Sequence, residues 1–345
     1  RVADVKANEE ELCKLIIEAA EHQAKVIVLP ELCITGYTCQ DLFYQDILLR
    51  EAKESLLRIA HRTREIDGLI YVGLPLEYKG KLYNTAAVLH RGEILGIVPK
   101  KYLPNYHEFY EVRHFTKGME EPVEIELAEG ICVPMGTKLI FSCKDLPELK
   151  VAAEICEDLW TPNPPSIGHA LAGATLVVNL SASDEITGKD IYRKDLVAGQ
   201  SARLVCGYVY ASAGDGESTQ DVVYSGHNLI GENGVVLAES QRFETGITYS
   251  EIDVMRLSSE RRKMNTFEIE DEGYLEIPFS LNMEETKLTR YIDPAPFVPS
   301  SKENRDKRCE EILAIQANGL KKRLEHTGCK SAVVGISKKL NSTLT

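Results

Sequence analysis

The first 260 residues alternate between helical and strand patterns, and this alternation most constrains the fold. Within residues 8–24, apolar side chains recur at helical spacing behind Asn8, which is expected to cap the helix. Residues 25–29 follow as a continuous apolar run, which is typical of a strand buried on both faces. Strands separated by helices favour a layered α/β fold.

The same patterns predict further elements along the chain. Strands are predicted at 69–73, 149–155, 175–180, 207–212 and 331–336, and helices at 47–66, 165–173, 190–205 and 303–327. Two hairpins are predicted, 86–89 with 94–98 around Arg91-Gly92 and 228–230 with 235–238 around Asn233-Gly234. Because hairpins are antiparallel, the sheets are expected to be mixed.

Composition argues against several classes of protein. The chain carries 53 acidic and 40 basic residues, and its net charge of −13 disfavours nucleic acid and anionic membranes as partners. Nine cysteines without a C-x-x-C pair, and eight histidines without ligand spacing, argue against a disulfide framework and a metal site. No apolar run approaches the roughly 20 residues of a membrane span, so the cytoplasm is the expected compartment. The start at Arg1, without a methionine, is typical of a fragment.

Three polar residues follow directly after apolar strand patterns. Glu31 follows KVIVLP, Lys100 follows ILGIVP and Cys156 follows KVAAEI. In α/β sheets, side chains at the carboxyl ends of strands converge on a crevice. A cysteine beside a carboxylate and an ammonium is sufficient for amide hydrolysis, since the carboxylate takes the thiol proton and the ammonium stabilises the oxyanion.

Each of these residues by itself has an ordinary structural explanation. A glutamate at a strand end is usually a solvated surface residue. The acidic neighbours Glu157 and Asp158 would raise the pKa of the Cys156 thiol, whereas a nearby lysine would offset that effect. The prediction of an active site therefore depends on the surrounding sequence.

The surrounding blocks resemble the nitrilase superfamily. They read PELCITGY at 30–37, VPKKYLPNYHEFYEVRHF at 98–115, EICEDLW at 154–160, ALAGATLVVNLSAS at 170–183, YVYASAGDGEST at 208–219 and NLIGENGVVLAES at 228–240. More closely, the chain resembles the glutaminase domain of glutamine-dependent NAD+ synthetases. PFVPSSKENRDKRCEEILAIQANGL at 296–320 resembles the connector that follows that domain.

The resemblance implies a fold and a catalytic set. The fold is a nitrilase-type four-layer α-β-β-α sandwich with two mixed β-sheets. Glu31 would be the general base, Lys100 the stabiliser of the oxyanion and Cys156 the nucleophile. Lys101 competes with Lys100 on chemistry alone, but the family's lysine precedes a leucine by three positions, and Leu103 fits Lys100.

The resemblance also implies a glutamine pocket. Its walls would be Tyr37, Tyr106, Phe109, Glu157, Ser183 and Lys189. Glu157 would face the substrate ammonium and Lys189 its carboxylate, which would discriminate glutamine from simple amides. Core packing is the alternative for the aromatic residues. Glu111, in preference to Glu108, would position Lys100, with a solvated helix face as the alternative.

The implied activity is hydrolysis of L-glutamine to glutamate and ammonia without a cofactor. In the parent enzymes the ammonia serves ATP-dependent amidation of deamido-NAD+ in a synthetase domain, with ATP and Mg bound there and partner chains completing a homo-oligomer. The implied boundaries are 1–260 for the glutaminase domain, 261–320 for the connector with its helix, and 321–345 for the start of the synthetase domain.

The end of the chain departs from the pattern expected for ATP binding. An SGG-x-D-S loop is expected, but Lys338, Lys339 and Asn341 stand where Gly, Gly and Asp would be. This chain is therefore not expected to bind ATP. Two alternatives stay open: a stand-alone amidase or carbamoylase of the same superfamily, and a non-catalytic scaffold with the same fold.

Overall fold

A computed structural model describes residues 1–219 and 222–335, which fall into two compact units that divide between Thr289 and Arg290. The first unit contains strands β1 Val26–Val28, β2 Leu69–Tyr78, β3 Lys81–His90, β4 Glu93–Pro99, β5 Val123–Ala128, β6 Ile131–Met135, β7 Leu139–Cys143, β8 Lys150–Ile155, β9 Leu176–Ser181, β10 Gly207–Ser212, β11 Leu229–Glu232, β12 Val235–Glu239 and β13 Leu275–Phe279. Its helices are α1 Val5–Glu21, α2 Asp46–Arg62, α3 Glu111–His114, α4 Glu157–Trp160, α5 Pro165–Leu171, α6 Lys189–Leu204 and α7 Val254–Lys263, with a 3₁₀ helix at Tyr37–Tyr44.

These strands form two mixed sheets. The first sheet has the order β1-β2-β3-β4-β6-β5, in which β1 with β2 and β4 with β6 are parallel pairs. The second has the order β12-β11-β10-β9-β8-β7-β13, with a parallel centre of β8, β9 and β10. The hairpins β3–β4 and β11–β12 add the antiparallel pairs. The expectation of mixed sheets is confirmed.

The two sheets pack face to face between two layers of helices. Along β2 the side chains alternate: Leu69 and Tyr71 join the core between the sheets, while Ile70 and Val72 join the core beneath α1 and α2. The Tyr71 ring meets Phe141 of the second sheet edge-on, with ring centroids 6.1 Å apart. This period-two alternation lets one continuous apolar strand supply two cores.

The second sheet is covered on its outer face in the same way. Val178 of β9 faces the core between the sheets, while Val177 packs with Val197 and Leu204 of α6. The order of layers is helix, sheet, sheet, helix. The predicted α-β-β-α sandwich is confirmed.

Both predicted hairpins are present, but the start of α1 differs from the prediction. The turn residues Arg91 and Asn233 have φ of 46° and 45°, and each precedes a glycine with positive φ. The α1 helix is capped by Asp4, whose side chain accepts a hydrogen bond from the Ala7 amide, so the prediction of Asn8 as the cap is wrong. Asn8 is instead buried inside the helix, and its amide donates to the Ile34 carbonyl at 3.0 Å.

Several strands had no clear signal in the sequence. The hairpin β2–β3 is longer than predicted: β2 runs on to Tyr78 and β3 begins at Lys81, and only the residues next to the turn are exposed. Strands β5 and β6 lie at the edge of the first sheet, where many side chains face solvent. Strand β13 lies within the predicted connector, 261–320, and pairs in parallel with β7. The predicted boundaries at 260 and 320 stay predictions.

The second unit contains α8, Lys302–Thr327, as the helical pattern predicted. Ser301 caps its start by accepting from the Asn304 amide, and Gly328 ends it in a left-handed conformation. Of the strand predicted at 331–336, residues 331–335 are not in a strand, so this prediction is wrong for them. Residue 336 and the loop with Lys338, Lys339 and Asn341 lie outside the described residues.

Candidate active site

The three candidate catalytic residues lie at the carboxyl ends of strands from both sheets. Glu31 lies three residues beyond β1, and Lys100 follows the last residue of β4, both in the first sheet. Cys156 follows the last residue of β8 in the second sheet. The sandwich therefore brings these residues together at one edge, as the pattern of strands predicted.

A buried ion-pair cluster lies at the centre of the site. The Lys100 ammonium donates to Glu31 Oε1 at 2.7 Å and to Glu111 Oε1 at 2.6 Å. The side chains of Lys100 and Glu31 are fully buried, and that of Glu111 is 4% exposed. Both carboxylates hold the pKa of Lys100 well above its usual range, although burial acts in the opposite direction. The lysine is therefore a permanent cation.

Glu31 is held by donors on both of its oxygens. Besides Lys100, the Asn84 amide donates to Oε1 at 2.6 Å, and the Ala182 backbone N–H donates to Oε2 at 2.8 Å. The turn that carries Glu31 lies directly against β2, where a Cβ on Gly73 would be 2.4 Å from the Leu32 backbone nitrogen. Only glycine therefore fits at position 73.

Cys156 adopts a strained backbone conformation between β8 and α4. Its φ is 43° and its ψ is −99°, a combination that costs about 1–3 kcal/mol in a non-glycine residue. The Cys156 N–H donates to the Leu180 carbonyl and to Asn179 Oδ1, both at 3.0 Å. These bonds hold the strained turn, and such strain is typical of functional sites.

The Cys156 thiol is neutral in the resting site. Burial raises its pKa well above the usual value and Glu31 raises it further, while Lys100 lowers it only in part. The sequence predicted that Glu157 and Asp158 would raise this pKa, but Glu31 and Glu111 are the acidic residues that act most strongly. The ammonium does not keep the sulfur ionised, so the thiol needs a base.

Lys100, rather than Lys101, lies in the cluster. The Lys101 ammonium points away to Glu120 Oε1, at 3.0 Å. Of the two carboxylates expected to position the lysine, Glu111 contacts Lys100 and also accepts from the Tyr37 hydroxyl at 2.8 Å. Burial raises the pKa of Glu111 to about 7, because the desolvation outweighs the nearby ammonium.

Glu108 lies beside this cluster in a small cavity of about 50 Å³. The cavity is lined by residues that include Tyr37, Glu108, Glu111 and Tyr224. Among the described residues, the carboxylates that pair with Lys100 are those of Glu31 and Glu111. The contact predicted for Glu111 or Glu108 is thus made by Glu111.

Four more residues of the predicted pocket lie together around Glu157, which follows Cys156 in sequence. The Tyr106 hydroxyl donates to Glu157 Oε1 at 2.6 Å, and the Tyr106 and Phe109 rings lie 6.3 Å apart. The Lys189 ammonium lies 5.9 Å from the Phe109 ring centroid and 5.3 Å from that of Trp160. Tyr106, Phe109, Glu157 and Lys189 thus form one contiguous group.

Lys189 and Ser183 have further partners within the protein. Lys189 pairs with the buried carboxylate of Asp184. The hydroxyl of Ser183 accepts from the fully buried guanidinium of Arg193 at 3.3 Å. A substrate carboxylate at Lys189 would therefore share the ammonium with Asp184.

Residues 1–262 match the carbon-nitrogen hydrolase family, which is three quarters of the chain. The chain belongs to this family. The resemblance to glutamine-dependent NAD+ synthetases is also confirmed: the chain is 38% identical over 353 residues to a protein of that name from Mycobacterium tuberculosis, covering 99% of this chain and 52% of the relative. A relative of the same name from Aquifex aeolicus is 32% identical over 343 residues, with coverages of 99% and 55%. The chain thus spans about half the length of these curated relatives.

Solved structures agree with the family assignment. A glutamine-dependent NAD(+) synthetase from Cytophaga hutchinsonii superposes with a TM-score of 0.64 and 32% identity, covering 72% of this chain and 40% of that one. A Nesterenkonia amidase of the nitrilase superfamily superposes with a TM-score of 0.58 at 20% identity, covering 76% and 91%. At that identity the amidase shows the fold alone, which is the nitrilase fold.

Three polar residues that support the candidate hydrolase site were missed in the sequence. Asn84 bonds Glu31, and Asn179 bonds the Cys156 backbone. Asp158 is buried and accepts from the Tyr102 amide at 2.7 Å and the Ile155 amide at 2.9 Å, so it links the Lys100 loop to the Cys156 turn. The signal available for Asp158 was the block EICEDLW, which holds three carboxylates and no basic residue.

Among residues 1–219 and 222–335, no cluster of three or more histidine, cysteine, aspartate or glutamate side chains could hold a metal ion. No helix in the same part of the chain is long and apolar enough to cross a membrane.

Proposed function

We propose that this chain hydrolyses the side-chain amide of L-glutamine through a thioester on Cys156, which yields glutamate and ammonia. The observation that carries the proposal is the buried cluster of Glu31, Lys100 and Glu111 beside Cys156. Burying these charges is costly compared with apolar packing, so a chain with no use for them gains little by keeping them. Identity of 38% to a glutamine-dependent NAD(+) synthetase, across nearly the whole chain, supports glutamine as the substrate.

In the first step, Glu31 accepts the thiol proton as the Cys156 sulfur attacks the amide carbon. Because the thiol pKa is raised, proton transfer accompanies the attack, and no stored thiolate is needed. The Lys100 ammonium stabilises the negative charge that develops on the carbonyl oxygen. Glu31 then gives the proton to the leaving nitrogen, the C–N bond breaks and ammonia departs.

In the second step, water hydrolyses the thioester. Glu31 accepts a proton from the water as its oxygen bonds to the carbonyl carbon. The C–S bond breaks, the proton passes to the sulfur, and glutamate leaves with the thiol restored. Both steps use the same carboxylate in turn, and no cofactor takes part in either.

The proposed pocket recognises the charged end of glutamine. Glu157 lies next to the nucleophile in sequence and would receive the substrate ammonium. The Tyr106 hydroxyl donates to the Glu157 carboxylate and holds it in place. Lys189, with Ser183 nearby, would receive the substrate carboxylate, and Tyr37 and Phe109 would form the walls. A pocket with one charge of each sign favours an amino acid over a simple amide.

We further propose that the ammonia serves an ATP-dependent amidation of deamido-NAD+ in a synthetase domain. The half-length match to the relatives supports this role. ATP and Mg would bind in that domain, and a homo-oligomer would complete the path of the ammonia. Nine free cysteines support a reducing compartment, the cytoplasm.

The experiment treats the protein with diazo-oxo-norleucine, an electrophile that resembles glutamine, and locates the label by peptide mass spectrometry. The sulfur bonds to the carbon that carries the diazo group, the thiol proton passes to that carbon, and N₂ leaves. One label on Cys156, blocked by L-glutamine, is expected. The matched control is Cys156→Ala, which should take no protected label although Cys132, Cys309 and Cys329 are exposed.

Other outcomes favour the rival functions. Labelling of Cys156 by simple amide analogues, without protection by glutamine, would favour a stand-alone amidase or carbamoylase. Cys156 inert to every such reagent would favour a scaffold without catalytic activity and would overturn the proposal.

A further inference from the structure

We propose that Glu217, which is remote from the reacting atoms, is a positioning residue for Lys100 and acts through Tyr37 and Glu111. One of its two tests, glutamine turnover, rests on the proposed function. The other test, the alkylation rate of the Cys156 thiol, does not. Glu217 lies in the loop that follows β10, about 180 residues away from the segment it holds.

The Glu217 carboxylate binds the start of the 3₁₀ helix that begins at Tyr37. Its oxygens accept from the Tyr37 N–H at 2.8 Å, the Thr38 N–H at 2.9 Å and the Thr38 hydroxyl at 2.6 Å. The first N–H groups of a helix have no partner within the helix, so they need an outside acceptor. One half-buried carboxylate thus supplies the acceptor for two backbone groups and one side chain.

The segment held by Glu217 carries the tyrosine that contacts the cluster. The Tyr37 hydroxyl donates to Glu111 Oε1 at 2.8 Å, and this same oxygen accepts from the Lys100 ammonium at 2.6 Å. Within the described residues, Glu111 Oε2 has no hydrogen-bond partner, so Tyr37 and Lys100 alone bond this carboxylate. A shift of the Tyr37 backbone therefore moves the anion on which Lys100 depends.

Two adjacent residues of one loop, Glu217 and Ser218, hold the backbone at this point. Gly36 has φ of 83°, and a Cβ there would lie 3.2 Å from Val2 Cα and 3.5 Å from Glu217 Oε2, so the Glu217 loop packs closely against this turn. Thr38, one residue into the 3₁₀ helix, departs from helical geometry with ψ of 28°, and its hydroxyl accepts from the Ser218 N–H at 2.9 Å. Within this loop, Glu217 supplies the acceptor for the Tyr37 N–H itself.

The test combines four single variants and one double variant with two assays. Glu217→Ala removes the acceptor, Glu217→Gln keeps one acceptor oxygen, and Asp215→Ala is the matched control, since Asp215 is an exposed acid on the same loop. Tyr37→Phe removes the hydroxyl through which Glu217 is proposed to act. Each variant is assayed for glutamine kcat/KM and for the rate at which iodoacetamide alkylates Cys156, read by peptide mass spectrometry. Fluorescence of Trp160, the single tryptophan, verifies folding.

We expect Glu217→Ala to lower kcat/KM and the Cys156 alkylation rate about tenfold, since misplacing a catalytic group by about 1 Å can cost 100-fold. Glu217→Gln should recover most of both rates, and Asp215→Ala should match the parent. The double variant Glu217→Ala/Tyr37→Phe should be less than twofold slower than Tyr37→Phe alone. Without the Tyr37 hydroxyl, Glu217 no longer has a way to act on Glu111.

Two results would overturn the inference. One is a Glu217→Ala variant that matches Asp215→Ala in alkylation rate. The other is a double variant in which the two losses multiply, which would show that Glu217 acts independently of Tyr37. If the parent turns over no glutamine, the proposed function fails, and the alkylation rates still decide the role of Glu217.

Discussion

Replacing Glu111 with glutamine removes one buried charge beneath Lys100 and nearly preserves the shape of the side chain. The amide oxygen can still accept from Lys100 and Tyr37, as Glu111 Oε1 does at 2.6 and 2.8 Å. The amide nitrogen would take the position of Oε2, which has no hydrogen-bond partner within the described residues. That unsatisfied group costs about 1 kcal/mol, and the cost does not depend on pH.

The charge itself makes the stability of the parent depend on pH. Burial raises the pKa of Glu111 from its usual 4.5 to about 7. A raised carboxyl pKa means that the folded state binds a proton which the unfolded state releases, so the free energy of unfolding falls as pH rises from about 4.5 to 7. At about 1.4 kcal/mol for each pH unit, the parent loses about 3 kcal/mol across this window from Glu111 alone.

Glutamine does not titrate, so this loss is absent from Glu111→Gln. The assay is urea unfolding followed by the fluorescence of Trp160, which lies four residues from Cys156, at several values between pH 4.5 and 8. Between pH 4.5 and 8, the free energy of unfolding of the variant should rise by about 3 kcal/mol relative to that of the parent. Glu124→Gln is the control, since Glu124 is exposed. Its free energy of unfolding should stay within about 0.5 kcal/mol of the parent value at every pH. A difference between Glu111→Gln and the parent that is constant across this range would refute the reasoning.

Two further predictions concern activity. Cys156→Ala should lower ammonia release from glutamine by at least about 10⁴-fold while circular dichroism stays that of the parent, and turnover at the parent rate would exclude a thioester on this residue. Lys100→Met should lower kcat by about 10²–10³-fold, and Lys101→Met should stay near the parent because the pair of Lys101 with Glu120 is partly exposed. The reverse ranking, measured by initial rates of ammonia release, would assign the oxyanion role to Lys101.

The raised thiol pKa changes how cysteine reactivity identifies the active site. A catalytic cysteine is ordinarily expected to be alkylated faster than structural cysteines, but Cys156 is buried beside two carboxylates. Cys132, Cys309 and Cys329 are exposed and have more access to a general reagent. The fastest-reacting cysteine therefore need not be Cys156, and protection by substrate, or a reagent shaped like the substrate, is what identifies Cys156 as the active-site residue.

Hydrophobic periodicity predicted most of the central strands and helices, but it missed strands toward the sheet edges and also the buried strand β7. The strand at 207–212 and both hairpin turns have local signals, because buried strands are uniformly apolar and tight turns need particular residues. Strands β5, β6 and β13 lie toward sheet edges, where exposed side chains break the apolar run. The final predicted strand, at 331–335, shows the opposite error, since an apolar run there does not form a strand.

The sequence by itself determined that Glu31, Lys100 and Cys156 end apolar strands, because that property depends only on neighbours along the chain. It also determined the layered α/β architecture and the family to which the chain belongs. The resemblance favoured Lys100 over Lys101 and Glu111 over Glu108, but only the tertiary structure decided that the Lys100 ammonium meets Glu31, across 69 residues of sequence, and that Glu111 contacts it. It also decided that the thiol is neutral at rest. The charge state of a side chain depends on its burial and on its distance from charged residues far away in the chain. Neither can be read from its neighbours in sequence.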